Sequence, residues 1–539
     1  DPAADFWLWG YLAAGHPTIG ALQETVDVPD VVQGSRLTVS LHGLSTSGVA
    51  NEHHVEVRLN GVPLGDTWWT GSSAHQAEFD IPGGALLSGN NQLEVVARLD
   101  AGVAYSLVAL DSFDIAYQRQ TRALDDQLSL TSFGNQRVVR VDGLSSTDAW
   151  VFDLYDPLVP KVVPLSKSGV DDLGAWVTFG AAKNREYLVA TPAGALRPQA
   201  VTATDATILK NNGRGADYVV ITSEALRAAG QRLADYRAGQ GLATTVVTTS
   251  EIYDEFSQGL ADPHAIRKFI RYAVANWSPR PSYVVLVGEG SFDYKDYLGN
   301  GDSIVPPLMV DGAFGLSPSD VLLADSTGGD GVPEVAIGRI LGTTEAEIDA
   351  AIAKIVSYET SDGEWRRSVV FAADDADDSG AFAADSSSIA SLLPDSLQLT
   401  RVHLGAPVTL AEARAAVLGA LSSGALLVDY VGHGSVYALA DEEILTVDDL
   451  STLPLNTQLP IVTAFTCLAG QYGLPGYDGL AESLAKRAGG GAIAVWAPSD
   501  LEENGDSVVL ARHFMRTLFE SGAPRALGDA VRAAQAAAA

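Results

Sequence analysis

Two short apolar runs in the last third of the chain each end close to a residue that can carry acid–base or nucleophilic chemistry. Residues 425–431 (ALLVDYV) lead through Gly432 to His433, and residues 460–466 (PIVTAFT) lead directly to Cys467. Short runs rich in β-branched and aromatic residues, with Gly or Pro at their flanks, are typical of buried strands in a parallel sheet. The pattern predicts an α/β fold in which an imidazole and a thiol both follow strand ends.

The positions of these two side chains suggest a shared site. In open α/β sheets, ligands bind beyond the carboxyl ends of the strands, so two neighbouring strands would present His433 and Cys467 at one edge. Cys467 is the only cysteine among 539 residues, and a lone Cys with a His elsewhere is a candidate nucleophile and base. The alternative is structural, with a small buried cysteine and a histidine satisfied within a turn.

Composition restricts the class of protein and its partners. A chain of 539 residues with 47% hydrophobic content should fold into three or four domains. Its formal net charge of −33 is spread along the sequence and repels phosphate backbones, so we expect no nucleic-acid partner. No apolar run approaches the ~20 residues that span a membrane. The charge favours a secreted or cell-surface protein whose signal and C-terminal anchor lie outside this sequence, although a cytosolic protein is the alternative.

The first part of the chain has the pattern of an all-β protein. Residues 1–122 contain short alternating strands, and Asn60-Gly61 favours a tight hairpin because both positions tolerate positive φ. We predict a jelly-roll-like β-sandwich here, followed by a small β domain or linker over residues 123–206. The pair Trp68-Trp69 is a candidate for contact with a glycan, although tryptophans of no special role are more common.

From residue 216 the pattern changes to alternating strands and helices. Apolar strands such as residues 218–222 are separated by helical segments, and the pattern restarts with a strand at residues 368–373. Such spacing predicts right-handed βαβ units and a mostly parallel sheet flanked by helices. We therefore divide this region into subdomain A, residues 207–362, and subdomain B, residues 363–539, which carries His433 and Cys467.

An ordered set of motifs runs through this α/β region. It comprises YVVLVGEGSFD at 283–293, DGVPEVAIGR at 330–339, YVGHGS at 430–435 and the strand that ends at Thr466-Cys467. The set resembles that of the gingipain-like cysteine peptidases of the caspase-like clan, in which β-rich regions often precede the catalytic part. The resemblance implies a caspase-like catalytic unit of two subdomains that hydrolyses peptide bonds.

The resemblance also implies roles for individual residues. Cys467 would attack the scissile carbonyl as a thiolate, and His433 would protonate the leaving amine and then assist the deacylating water. The backbone N–H groups of Gly434 and Cys467 are candidates for the oxyanion hole. Glu334 would orient His433, because an imidazole base usually needs a third group to fix its tautomer. The alternative for Glu334 is an acid on the surface of an Asp-rich loop.

Substrate recognition is predicted from the same resemblance. Gingipains cut after Arg or Lys by placing an acid in the S1 pocket, which implies a preference for a basic P1 residue. Glu347 falls near the corresponding position, although Thr344 and Glu347 also form a capping box that would open a helix. Asp500 is an alternative pocket acid, and Ser435 is a further candidate for substrate contact.

The predicted chemistry requires no cofactor. Asp325 and Asp330 are candidate ligands for a structural calcium ion, because hard cations take several oxygen ligands. Their loop lacks the full spacing of an EF-hand.

The sequence therefore predicts a multidomain cysteine endopeptidase that acts on a protein or peptide substrate. Two alternatives remain open. The first is a sortase-like transpeptidase, in which an amine rather than water intercepts the same acyl-enzyme. The second is a surface adhesion protein with an inactive peptidase unit and a glycan-binding sandwich.

Overall fold

A computed structural model describes residues 8–132, 138–198, 201, 209–211, 213–312, 315–405, 407–519 and 526–539. The chain forms two compact units, residues 3–203 and residues 204–539. Within the described residues, no helix is both long enough and apolar enough to cross a bilayer.

The first unit begins with two antiparallel sheets that share one core. The sheet orders are β1-β8-β3-β6 and β2-β7-β4-β5, and both sheets contribute alternate apolar side chains such as Leu37, Val39, Val55 and Val57. The predicted β-sandwich is therefore confirmed. The strands are β1 (Gly10–Ala13), β2 (Ala21–Val28), β3 (Val31–Gly43), β4 (His53–Leu59), β5 (Val62–Trp69), β6 (Ala74–Asp80), β7 (Gly89–Arg98) and β8 (Leu107–Arg119).

A second β region completes the first unit. Its two sheets, β10-β14-β13 and β12-β11-β15-β9, enclose a separate core that includes Val141, Val177, Phe179 and Val189. The strands are β9 (Gln127–Thr131), β10 (Val138–Leu144), β11 (Trp150–Asp153), β12 (Lys161–Val162), β13 (Leu165–Asp171), β14 (Gly174–Gly180) and β15 (Glu186–Ala190).

The second unit contains two parallel sheets, the first of which has the order β17-β16-β18-β21. Thr248 caps α2 and Asp262 caps α3, which shows how short polar residues begin these helices. The elements are β16 (Tyr218–Thr222), α1 (Arg227–Gly239), β17 (Thr244–Thr248), α2 (Thr249–Phe256), α3 (Pro263–Asn276), β18 (Tyr283–Val287), β19 (Leu308–Gly312), β20 (Gly315–Ser319), α4 (Val321–Ala324), β21 (Ala336–Ile340) and α5 (Glu345–Thr360).

The second parallel sheet has the order β23-β22-β24-β27-β28. One apolar core covers each of its faces, so the central strand β24 is buried on both sides. The elements are β22 (Ser368–Ala373), α6 (Phe382–Ala390), β23 (Gln398–His403), α7 (Leu410–Ser423), β24 (Leu427–Val431), β25 (Ala438–Leu439), β26 (Leu445–Thr446), α8 (Val447–Thr452), β27 (Ile461–Phe465), α9 (Leu480–Lys486), β28 (Ala494–Trp496), α10 (Asn504–Phe519) and α11 (Leu527–Ala538). The predicted order, all-β sheets followed by parallel α/β units, is confirmed.

Candidate active site

The register of β24 and β27 aligns the two predicted catalytic residues. These strands are parallel neighbours, and Val431 pairs with Phe465 at their carboxyl ends. His433 and Cys467 each follow two positions later, so both lie just beyond the same edge of the sheet. This is the edge at which open α/β sheets bind their ligands.

The imidazole of His433 is held by an acid. Its Nε2 lies 2.8 Å from Oδ2 of Asp377, which is in the loop that follows β22. The hydrogen bond to Asp377 is the main cause that raises the pKa of His433, and partial burial acts in the opposite direction. The same bond lowers the pKa of Asp377, so both shifts favour an imidazolium–carboxylate pair. With Nε2 directed at Asp377, Nδ1 is the ring nitrogen left for a reacting group.

The backbone turn that carries His433 is fixed by a second acid. The buried carboxylate of Asp374 accepts the N–H of His433 at 3.1 Å, and the Tyr430 hydroxyl donates to the His433 carbonyl at 2.7 Å. Gly432 has φ of 155°, and a Cβ there would lie 2.4 Å from Asp374 Cβ and 2.5 Å from the Tyr430 hydroxyl. Only glycine allows this close approach, which sets the exit direction of the chain from β24.

Cys467 is partly buried under the segment that follows β28. Its Sγ lies 3.7 Å from the carbonyl oxygen of Glu502, and the N–H of Leu468 donates to the carbonyl of Asp500 at 3.0 Å. Leu468 adopts φ of 57°, which turns the chain sharply after the thiol. The turn at Cys467 is thus held by backbone contacts from residues 500–502.

The backbone of Gly434 lies directly against the Cys467 turn. A Cβ at Gly434 would come within 2.3 Å of Thr466 Oγ1 and 3.1 Å of the Cys467 carbonyl oxygen. The segment after His433 and the end of β27 are therefore in contact. This proximity is what an oxyanion hole made from Gly434 and Cys467 would require.

Among the described residues, the acid that is hydrogen bonded to the His433 imidazole is Asp377 and not the predicted Glu334. The Glu334 carboxylate accepts the Ser326 N–H at 2.6 Å and the Ser326 hydroxyl at 2.8 Å, and it also bonds to Thr327. Glu334 precedes β21, at the amino end of a strand in the first parallel sheet. His433 follows the carboxyl end of a strand in the other sheet, which explains why the two side chains are not brought together.

The predicted recognition residues have different surroundings. Glu347 caps α5, because its Oε2 accepts the N–H of Thr344 at 2.9 Å while Thr344 accepts the N–H of Glu347. Ser435 accepts the N–H of Ala438 in the turn that follows His433. Asp500 accepts the N–H of Leu501 with its carboxylate and lies beside Cys467 in the fold, through its carbonyl bond to the residue after the thiol.

The carboxylates of the Asp-rich loop before β21 accept hydrogen bonds from backbone N–H groups of the same loop. Asp325 is buried, accepts the N–H groups of Gly329 and Gly331 at 3.2 Å each, and lies 3.6 Å from the Arg267 guanidinium. Asp330 accepts the N–H of Val332. The calcium site expected on Asp325 and Asp330 remains a prediction.

One other group of carboxylates lies near His433. Oxygens of Asp374, Asp375 and Glu442 all lie within 4.8 Å of one another. Asp374 already accepts hydrogen bonds from His433, Tyr430 and the N–H of Asp375. We therefore assign no metal to this group.

Asp377 was missed at the sequence level, although a signal for it existed. It belongs to the acidic run Asp374-Asp375-Ala376-Asp377-Asp378, which directly follows the predicted strand at residues 368–373. The carboxyl-end rule that linked His433 to Cys467 also brings this run to the same edge once β22 is placed beside β24. The neighbour relationship of the two strands was the missing information.

The match to a known protein family lies within the second unit of the chain. Residues 211–539 match the sequence model of peptidase family C25. The chain is similar to the structure of the Arg-specific cysteine proteinase gingipain R (RgpB), with 21% identity, a TM-score of 0.50, and coverage of 63% of this chain and 74% of that chain. It is also similar to the complex of the pro- and mature domains of RgpB from Porphyromonas gingivalis, with 20% identity, a TM-score of 0.50, and coverage of 60% and 74%. No curated protein sequence matches the chain.

Proposed function

The chain belongs to peptidase family C25 and is a cysteine peptidase, and from that premise we propose that it hydrolyses internal peptide bonds with Cys467 as nucleophile and His433 as acid–base. The observation that carries the proposal is the register of β24 and β27, which aligns both residues at one sheet edge. The Asp377–His433 bond gives further support, because it leaves Nδ1 free for proton transfer.

The proposed reaction uses groups of the protein and one water molecule. The Cys467 thiolate attacks the scissile carbonyl carbon, and the C–N bond breaks as His433 gives its proton to the leaving amine. His433 then takes a proton from water, which attacks the thioester, releases the acid product and regenerates the Cys467 thiolate beside a protonated His433. Backbone N–H groups of Gly434 and Cys467 would stabilise the oxyanion in both steps. We propose Asp377 as the residue that orients the imidazole.

We further propose a preference for substrates with a basic P1 residue. Asp500 is the better supported pocket acid, because it lies beside the Cys467 turn, whereas the Glu347 carboxylate is engaged in a helix cap. Ser435, in the turn after His433, would contact the substrate backbone. A peptide library with varied P1 residues tests this assignment. Cleavage after Arg or Lys is expected, and equal cleavage after acidic or apolar residues would contradict it.

The same library separates hydrolysis from transpeptidation. Products are analysed by mass spectrometry in the presence of a primary amine. We expect free carboxyl termini to dominate. Dominant amine adducts would instead favour the sortase-like alternative, in which the same acyl-enzyme reacts with an amine.

A second function, contact with a glycan, is proposed for the sandwich of the first unit. Trp68 on β5 is 45% exposed, and its ring stacks on His54 at 4.4 Å. His54 is hydrogen bonded to both Asp66 and Asp100, so this aromatic surface lies beside polar side chains. Trp69 is buried and has no such role.

Glycan binding can be tested with a matched control. Trp68→Ala should abolish retention on immobilised polysaccharides, whereas Trp150→Ala, which removes another exposed tryptophan of the first unit, should leave it unchanged. Equal loss in both variants, or no retention of the wild type, would contradict the proposal. The net charge of −33 supports our further proposal that the protein works outside the cell.

A further inference from the structure

A buried carboxyl group lies in the central strand of the catalytic sheet and takes no part in the proposed chemistry. Asp429 is fully buried in β24, and its Oδ1 accepts the Thr463 hydroxyl of β27 at 2.5 Å. Its Oδ2 is buried without a hydrogen-bond partner among the described residues. A polar pair inside an apolar sheet is costly, so its position needs a physical explanation.

The position of this pair mirrors the position of the catalytic residues. Asp429 and Thr463 are direct register partners. Asp429 lies four residues before His433, and Thr463 lies four residues before Cys467. The hydrogen bond therefore joins the two strands that carry the imidazole and the thiol.

The surroundings of Asp429 favour its neutral form. Alternation along the strands places Asp429 and Thr463 on the face that includes Leu427, Val431 and Phe465. The core on this face also receives apolar side chains from β22, α6, α10 and α11, namely Phe371, Phe382, Phe514 and Ala530.

Burial is the main cause that raises the pKa of Asp429, to about 7, and the Thr463 bond opposes it. No charged group contributes to the shift. Three charged side chains of the packed helices have partners other than Asp429: Asp385 pairs with Asn504, Arg512 with Ser388, and Asp529 with Tyr283.

We propose that Asp429 is a positioning residue of the catalytic pair: as a neutral acid bonded to Thr463, it fixes the register of β24 against β27 and so the alignment of His433 with Cys467. A slip of one residue would place Asp429 opposite Val462 or Ala464, which offer no hydroxyl, and would move every side chain to the other face. The inference rests on the proposed function, because it assigns the bond to the alignment of that same pair.

Two variants distinguish the effect of the Asp429–Thr463 hydrogen bond from the effect of a charge on Asp429. Thr463→Val keeps the side-chain shape and removes the donor, whereas Asp429→Asn keeps an acceptor and cannot ionise. Ser386→Ala is the matched control, because Ser386 is a buried serine of α6 whose hydroxyl has no partner among the described residues. Hydrolysis of a P1-Arg peptide is measured from pH 5.5 to 8.5.

We expect Thr463→Val to lower kcat by about tenfold or more with little change in KM, because small displacements of catalytic groups cost that much. Asp429→Asn should retain wild-type turnover near pH 6 and lose the part of the alkaline decrease that ionisation of Asp429 causes. Ser386→Ala should match the wild type. Wild-type turnover in Thr463→Val, or an unchanged pH profile in Asp429→Asn, would overturn the inference.

Failure of the proposed function gives a different result. If the wild type hydrolyses no peptide in any condition, the rate at which iodoacetamide modifies Cys467 replaces turnover as the readout. A change of at least about threefold in Thr463→Val but not in Ser386→Ala would still support the positioning role, because the exposure of the thiol depends on the register. Equal rates in all three proteins would overturn it. If Thr463→Val does not fold, the pH profile of Asp429→Asn alone tests the positioning role of Asp429.

Discussion

The Asp429→Asn substitution should change the free energy of unfolding in a way that depends on pH. The folded state raises the pKa of this carboxyl from 3.8 to about 7, so the native protein retains a proton that the unfolded chain releases. Wild-type stability is therefore lost as the pH rises from about 4 to about 7. At about 1.4 kcal/mol per pKa unit, the penalty is about 1.7 kcal/mol at pH 5 and about 4.4 kcal/mol at pH 8. Asparagine has no such penalty.

The stability difference between variant and wild type should thus shift by about 2.7 kcal/mol in favour of the variant between pH 5 and pH 8. Any constant cost of burying the amide cancels in this comparison. Urea unfolding of the full chain, read by hydrogen exchange of peptides covering residues 425–433, measures the shift. Glu364→Gln, at a side chain that is 84% exposed, is the control and should change by less than about 0.5 kcal/mol. The same stability difference at both pH values would refute the claim that Asp429 is neutral in the folded protein.

Four further substitutions, one of them a control, test the site. Asp377→Asn should lower kcat/KM by about tenfold near neutral pH and lower the kinetic pKa assigned to His433, since Asp377 is the main cause that raises that pKa. Glu334→Gln should leave both quantities unchanged. The reverse pattern in pH–rate profiles would contradict the assignment of Asp377. Gly434→Ala should reduce turnover by about a hundredfold in a folded protein, because its Cβ would lie 2.3 Å from Thr466 Oγ1, and circular dichroism checks the fold. Asp500→Asn should reduce the selectivity for P1-Arg over P1-Gln peptides by about tenfold, and unchanged selectivity would exclude Asp500 from the pocket.

The sequence predicts the parallel α/β units well because their strands are short, apolar and separated by capped helices. Strands β24 and β27 and the residues that follow them lie as expected from the carboxyl-end rule. Several short elements were not predicted, namely α2, α8 and the hairpin β19–β20. An eight-residue helix such as α2, or a two-stranded hairpin, has too little periodicity to be distinguished from a loop.

The acid that contacts His433 could not be predicted because it depends on strand order, which local patterns do not encode. Glu334 and Asp377 both flank predicted strands, and sequence spacing alone does not choose between them. The structure places β21 in one sheet and β22 beside β24 in the other. Only the second arrangement brings an acid to His433. The Asp429–Thr463 hydrogen bond could not be predicted either, because an acid in an apolar run does not indicate which side chain lies opposite it.

The central claim is that Cys467 and His433 act together as a peptidase pair. The most direct measurement is intact-protein mass spectrometry after incubation with a peptidyl chloromethyl ketone that carries P1 arginine. One adduct on Cys467 is expected in the wild type, a much slower reaction in His433→Ala, and none in Cys467→Ala. A wild-type protein that forms no adduct with this reagent or with others of varied P1, or a His433→Ala variant labelled at the wild-type rate, would contradict the account.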